Sequence, residues 1–109
     1  MLRKKERLTR LEFDRSFAIS RRIHTPYLQL LYTQSSSFHG SVVVSKKVYK
    51  KAVDRNRLRR QLYGLLYQFN IKHRQNQTFI IITKPQIAGI KSKDFAITLK
   101  EALEKTLTA

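Results

Sequence analysis

One apolar stripe dominates the pattern of this chain: Leu58, Leu62, Leu65, Leu66 and Phe69 fall at i, i+4, i+7, i+8 and i+11, the spacing of a single helical face. It predicts a long helix beginning near Val53 or Asp54, where the Asp54 carboxylate suits the positive end of the helix dipole. Upstream the period changes to two. Tyr27–Thr33 puts Tyr27, Gln29 and Leu31 on one side and Leu28, Leu30 and Tyr32 on the other, as a strand does. A turn rich in Ser and Gly over 34–41 leads to Val42-Val43-Val44, and the two segments together predict an antiparallel hairpin. After the polar stretch 72–77, Phe79-Ile80-Ile81-Ile82-Thr83 reads as a buried strand stopped by Pro85. Phe95, Leu99, Ala102 and Leu103 then mark a C-terminal helix, with Ser92 as its cap.

The N-terminal element is set by its first turn. Thr9-Arg10-Leu11-Glu12 fits a capping box, in which each of the two polar side chains satisfies an orphan backbone N–H. A short helix over about 10–19 follows. Phe13 and Phe17 share one stripe of it, while Leu11 and Ala18 lie roughly 120° away. One apolar side is available for the domain and the other for a groove, and spacing alone leaves the Phe pair open to either role. The elements run αββαβα, an α+β sandwich with a small central sheet.

Length allows one domain with one modest core: 109 residues bury a smaller share of their surface than a larger chain would. The expectation is a single domain over 1–109, with residues 1–6 as a flexible basic N-terminus. There is no Cys, and His24, His39 and His73 are scattered, so disulfides, cysteine-ligated zinc and metal-dependent folding are excluded. The basic N-terminus is not followed by an apolar run, and no long apolar segment occurs elsewhere. A soluble, cytoplasmic protein without a membrane partner is expected.

Charge sharpens this picture. The chain has 23 Lys+Arg against 7 Asp+Glu, a net charge of +16, and its field attracts polyanions before any contact forms. Ser45–Arg60 holds eight Lys or Arg and one Asp, whereas Ile23–Val44 has no charged residue. With the leucine stripe of the long helix turned inward, Asn56, Arg60, Tyr63 and Tyr67 fall within about 40° of the outward direction. Arg57 lies to one side, with Arg55 and Arg59 near the boundary. Arg grips phosphate bidentately, Asn pairs with base edges or sugar hydroxyls, and Tyr offers a stacking surface, which together suit RNA. The plainer alternative is a solvated basic face with two idle tyrosines, but a merely soluble helix usually mixes charges of both signs. Asp54, Asp94, Glu101 and Glu104 sit on predicted helices without a partner His or Cys, so the chain offers no catalytic constellation of its own.

Val44-Ser45-Lys46-Lys47, followed after a short spacer by Ala52-Val53-Asp54-Arg55-Asn56-Arg57-Leu58-Arg59-Arg60, resembles the signature of the bacterial ribonuclease P protein family. The resemblance covers nearly the whole chain, from Arg7-Leu8 before the helix with Phe13 and Phe17, through Leu31-Tyr32, to Phe79-Ile80-Ile81-Ile82 and Lys84-Pro85. It implies a ribonuclease P protein-like fold with a left-handed βαβ crossover, against the usual hand. It also implies a monomeric subunit, one copy per catalytic RNA, that assists endonucleolytic removal of the 5′ leader from precursor tRNA. The chemistry would belong to magnesium bound mainly by the RNA, with no cofactor intrinsic to the protein. Carried over position by position, Arg55, Asn56, Arg57, Arg59 and Arg60 would contact the catalytic RNA, with Lys46, Lys47, Lys50 and Lys51 beside them and Tyr63 and Tyr67 on the same surface. Phe13, Phe17 and Tyr32 would line the cleft for the single-stranded leader, leaving Leu11 and Ala18 as the buried side of the first helix. The chain departs from the family pattern at Tyr49, where Gly is usual and one residue is extra, at Tyr63-Gly64, where Arg and an acidic or amide residue are common, and at Ser41, where Gly is expected. A small ribosomal or other RNA-binding protein, or a DNA-binding protein with its basic helix in a major groove, are the alternatives.

Overall fold

The computed structural model describes residues 7–74 and 76–107, so the flexible tail expected over 1–6 lies outside the described residues. Helix α1 spans Arg10–Ile19, and its capping box is complete: Glu12 N–H donates to the Thr9 hydroxyl at 3.2 Å and Thr9 N–H donates to the Glu12 carboxylate at 2.9 Å. Helix α2 spans Ala52–His73 and buries Leu58, Leu62, Leu66 and Phe69, the predicted stripe, with Leu65 half-buried. Helix α3 spans Ser92–Thr106 and buries Phe95, Leu99, Ala102 and Leu103. Its cap is Lys91 rather than the expected Ser92, and no side chain caps its first turn. Ser92 Oγ instead accepts from Gln61 Nε2 on α2 at 3.3 Å.

Four strands make one sheet. They are β1 (Arg21–His24), β2 (Leu28–Gln34), β3 (His39–Val43) and β4 (Gln77–Thr83), arranged β1-β2-β4-β3. Strand β1 adds an element to the sequence reading and forms the true hairpin with β2, pairing Arg22 with Leu31 and Ile23 with Leu30. The turn between them is closed by Thr25, whose Oγ1 accepts the Leu28 N–H at 3.0 Å while Lys84 Nζ donates to its carbonyl at 2.6 Å. The hairpin expected between the second and third strands does not form. Instead β4 lies between them, antiparallel to β2 (Leu31 opposite Ile80) and parallel to β3 (Ser41 opposite Ile80), with α2 as the crossover from β3 to β4. The reason is burial: β4 is apolar on both faces, and an interior position covers both.

Alternation along the strands separates two layers. Leu28, Leu30, Val42, Phe79 and Ile81 join the leucines of α2 and the apolar face of α3 in the main core, with Phe69 edge-on to Phe79 at 5.8 Å. Each such fully buried side chain contributes about 1.5–3 kcal/mol. Leu31 and Ile80 point the other way and are also fully buried, on the side where α1 packs on β2 and β4.

Helix α1 contradicts one expectation. Leu11 and Ala18 are exposed, not buried, and Leu11 shows 61% of its surface. The half-buried positions are Phe13, Ser16 and Phe17, so the aromatic stripe is the side that meets the sheet. Two aromatic rings turned toward β2 and β4 remove more apolar surface from water than a Leu and an Ala would.

Candidate nucleic-acid interface

Helix α2 is mounted by its leucines, and that fixes where its cations point. Asn56, Arg57 and Arg60 are exposed, as are Lys46, Lys47, Lys50 and Lys51 in the segment leading into the helix. Arg55 is turned inward: its guanidinium donates to the carbonyls of Tyr49 at 3.0 Å and Lys50 at 2.7 Å. It therefore ties down the longer loop that precedes the helix, and α2 has no side-chain cap bond at Lys51 to do so. Arg59 is half-buried and its guanidinium donates to Asn56 Oδ1.

The two tyrosines do not stand free on the outward face. Both are half-buried against the core, and the Tyr63 hydroxyl accepts the Val42 N–H at 3.2 Å. Tyr63 sits about 115° from the middle of the leucine stripe at 100° per residue, about 65° from the outward direction instead of the expected 40°, close enough to the boundary for a long side chain to lean back onto β3. Its ring forms part of the wall of an open depression of about 310 Å³, together with Arg7, Asn56, Arg59 and Arg60.

On the opposite layer, the rings of Phe13 and Phe17 stack with centroids 5.9 Å apart, and the guanidinium carbon of Arg22 lies 4.9 Å from the Phe17 centroid. Arg22 pairs with Leu31 and so shares the α1 side of the sheet. So does Gln29, half-buried with an Oε1 that has no hydrogen-bond partner. Stacked aromatic faces and a cation thus meet where α1 packs on the sheet, with the Gln29 amide on the same side of β2, and such groups can hold an unpaired nucleic-acid strand. Tyr32 instead lines an open depression with Ile19 of α1 and Arg21 of β1. It shares a side with Leu28 and Leu30 and packs against the main core, which places it across the sheet from Phe13 and Phe17. Sequence reasoning missed Arg22; the only signal was its position five residues after Phe17, and Arg21–His24 has too few apolar residues to announce a strand.

The Glu12 carboxyl is held below its usual range, chiefly by the backbone hydrogen bond from Thr9 and then by the Thr9 side chain. Among the described residues, no three His, Asp or Glu come together in a way that would hold a metal ion, and no helix is long and apolar enough to cross a membrane.

Comparison with known proteins agrees with this architecture. A family model described as Ribonuclease P matches residues 2–107. The ribonuclease P protein component of a Nitratiruptor species is 31% identical over 97 residues, 89% of this chain and 87% of that protein. Two solved structures share the fold at low identity. The RNase P protein from Thermotoga maritima superposes with a TM-score of 0.81 at 19% identity, over 92% of this chain and 96% of that one. A Staphylococcus aureus RNase P protein mutant with defective mRNA degradation activity gives 0.83 at 18% identity, over 94% and 89%.

Proposed function

The chain belongs to the bacterial ribonuclease P protein family, the protein components of a ribonucleoprotein endonuclease of tRNA processing, and we propose from this that its two surfaces divide the labour between two RNAs. The basic surface, with Lys46, Lys47, Lys50, Lys51, Asn56, Arg57, Arg59 and Arg60, binds the catalytic RNA. The groove with Phe13, Phe17 and Arg22 takes the 5′ leader of precursor tRNA. Arg55 serves that surface by holding its loop.

The observation that carries this reading is the row of exposed guanidinium groups on α2, Arg57 and Arg60 above buried Leu58 and Leu62. Two polyanions repel, and a small rigid cation between them lowers that repulsion, while the groove adds affinity for an extended strand. Stacking on Phe13 and Phe17 tolerates any base, as one enzyme acting on many precursors requires. Hydrolysis of the phosphodiester is assigned to the RNA and its magnesium; the protein binds and positions.

The test is reconstitution with ribonuclease P RNA and a precursor tRNA at low magnesium. The expected result is a gain in cleavage that depends on the leader. RNA binding with no gain would make the chain a general RNA-binding module, and a preference for duplex DNA would overturn the reading.

A further inference from the structure

Arg7 reaches the basic surface from a different part of the chain. Its backbone bridges in parallel to Gly40 on β3, and its guanidinium carbon lies 5.2 Å from the centroid of the Tyr63 ring. The ring is itself fixed, by packing on the core and by the hydrogen bond from Val42 N–H to its hydroxyl. A cation over such a face is held at a defined place while its charge stays in water. Arg7 is exposed.

The depression it enters is lined by Arg7, Asn56, Arg59, Arg60 and Tyr63 and contains no carboxylate. Three guanidinium groups around one hollow repel one another unless an anion sits among them. Its volume, about 310 Å³, falls at the small end of ligand pockets, in the range of a single nucleotide rather than a helix.

We propose that this depression receives one nucleotide of the catalytic RNA, that Arg7 and Arg60 grip its phosphate, and that Tyr63 is the positioning residue that holds Arg7 there. The proposal deepens the reading of α2 as the surface that meets the catalytic RNA, and rests on it. It adds a contact from outside the basic run and gives Tyr63 a part to play other than stacking on a base.

The experiment measures binding of ribonuclease P RNA across a salt series, with Arg60→Ala as the gauge of the parent reading. Arg7→Ala is expected to weaken binding about tenfold, the worth of one charged hydrogen-bonded contact, and to make the salt slope shallower by about one. Arg7→Lys restores only part, because an ammonium cannot form the bidentate fork. In a Tyr63→Phe background, which keeps the ring, Arg7→Ala still costs the same factor; in a Tyr63→Leu background it costs little. Thermal melts of each variant separate loss of fold from loss of contact. The proposal is overturned if Arg7→Ala leaves binding unchanged while Arg60→Ala weakens it, if Arg7 and Tyr63 act additively, or if the loss is confined to precursor tRNA. If neither Arg7→Ala nor Arg60→Ala matters, the parent reading falls as well.

Discussion

Arg22 covers the ring of Phe17 at 4.9 Å, joining the first strand to the first helix by a cation laid on an aromatic face. Arg22 is exposed and Phe17 half-buried, so the pair is accessible from solvent. Such an arrangement offers stacking and charge neutralisation to the same stretch of an unpaired strand.

Phe17→Ala removes both the partner of Phe13 and the seat of Arg22. The holoenzyme is expected to lose about 1–3 kcal/mol of affinity for precursor tRNA, the worth of one stacked base, with little change for mature tRNA. Equal losses for the two forms, in parallel binding titrations, would remove the groove from the leader path.

Arg57→Ala combined with Arg60→Ala takes two exposed cations from α2 without touching the leucines beneath. The slope of log affinity for catalytic RNA against log salt should become shallower by about two, while the melting temperature stays close to that of the parent. Filter binding at several ionic strengths checks this.

Gly64 lies inside α2, and a Cβ built there meets nothing within 4 Å. Gly64→Ala should therefore raise stability by about 1 kcal/mol through helix propensity alone. Urea denaturation would show a higher midpoint at an unchanged m-value.

Glu12 gives α1 a dependence on acid. Its carboxyl is held below the ordinary range in the folded chain, so its stabilising contribution is complete above the unfolded pKa and is lost as pH falls through the folded one. Amide protection factors in α1 should decline at acid pH before those of α2, and Glu12→Gln should remove that difference. An identical acid profile in the variant would mean that the capping box does not set the order of opening.

Local features of this fold are legible in the sequence, and features set by distant partners are not. Thr9 and Glu12 meet across three residues, and the stripe from Leu58 to Phe69 needs only the pitch of a helix, so both could be read directly. The insertion of β4 between β2 and β3 depends on pairings such as Leu31 with Ile80 and Ser41 with Ile80, which no short window contains. Tyr32 illustrates the limit within the site. Its alternation with Leu28 and Leu30 is evident in the sequence, but which side of the sheet α1 covers is a tertiary fact. The same holds for Tyr63, whose hydroxyl finds an amide 21 residues away, and for Arg55, whose charge is directed to the loop before it rather than offered outward.

The position of β4 also governs how this chain comes into being. A ribosome that has released residues up to His73 has already made β2, β3 and all of α2, yet the strand that joins β2 to β3 has still to be translated. Long-range pairing of this kind is slow to form. During that interval the cationic helix exists without the platform that aims it, so the nascent polypeptide carries its attraction for polyanions before it has the shape to choose among them.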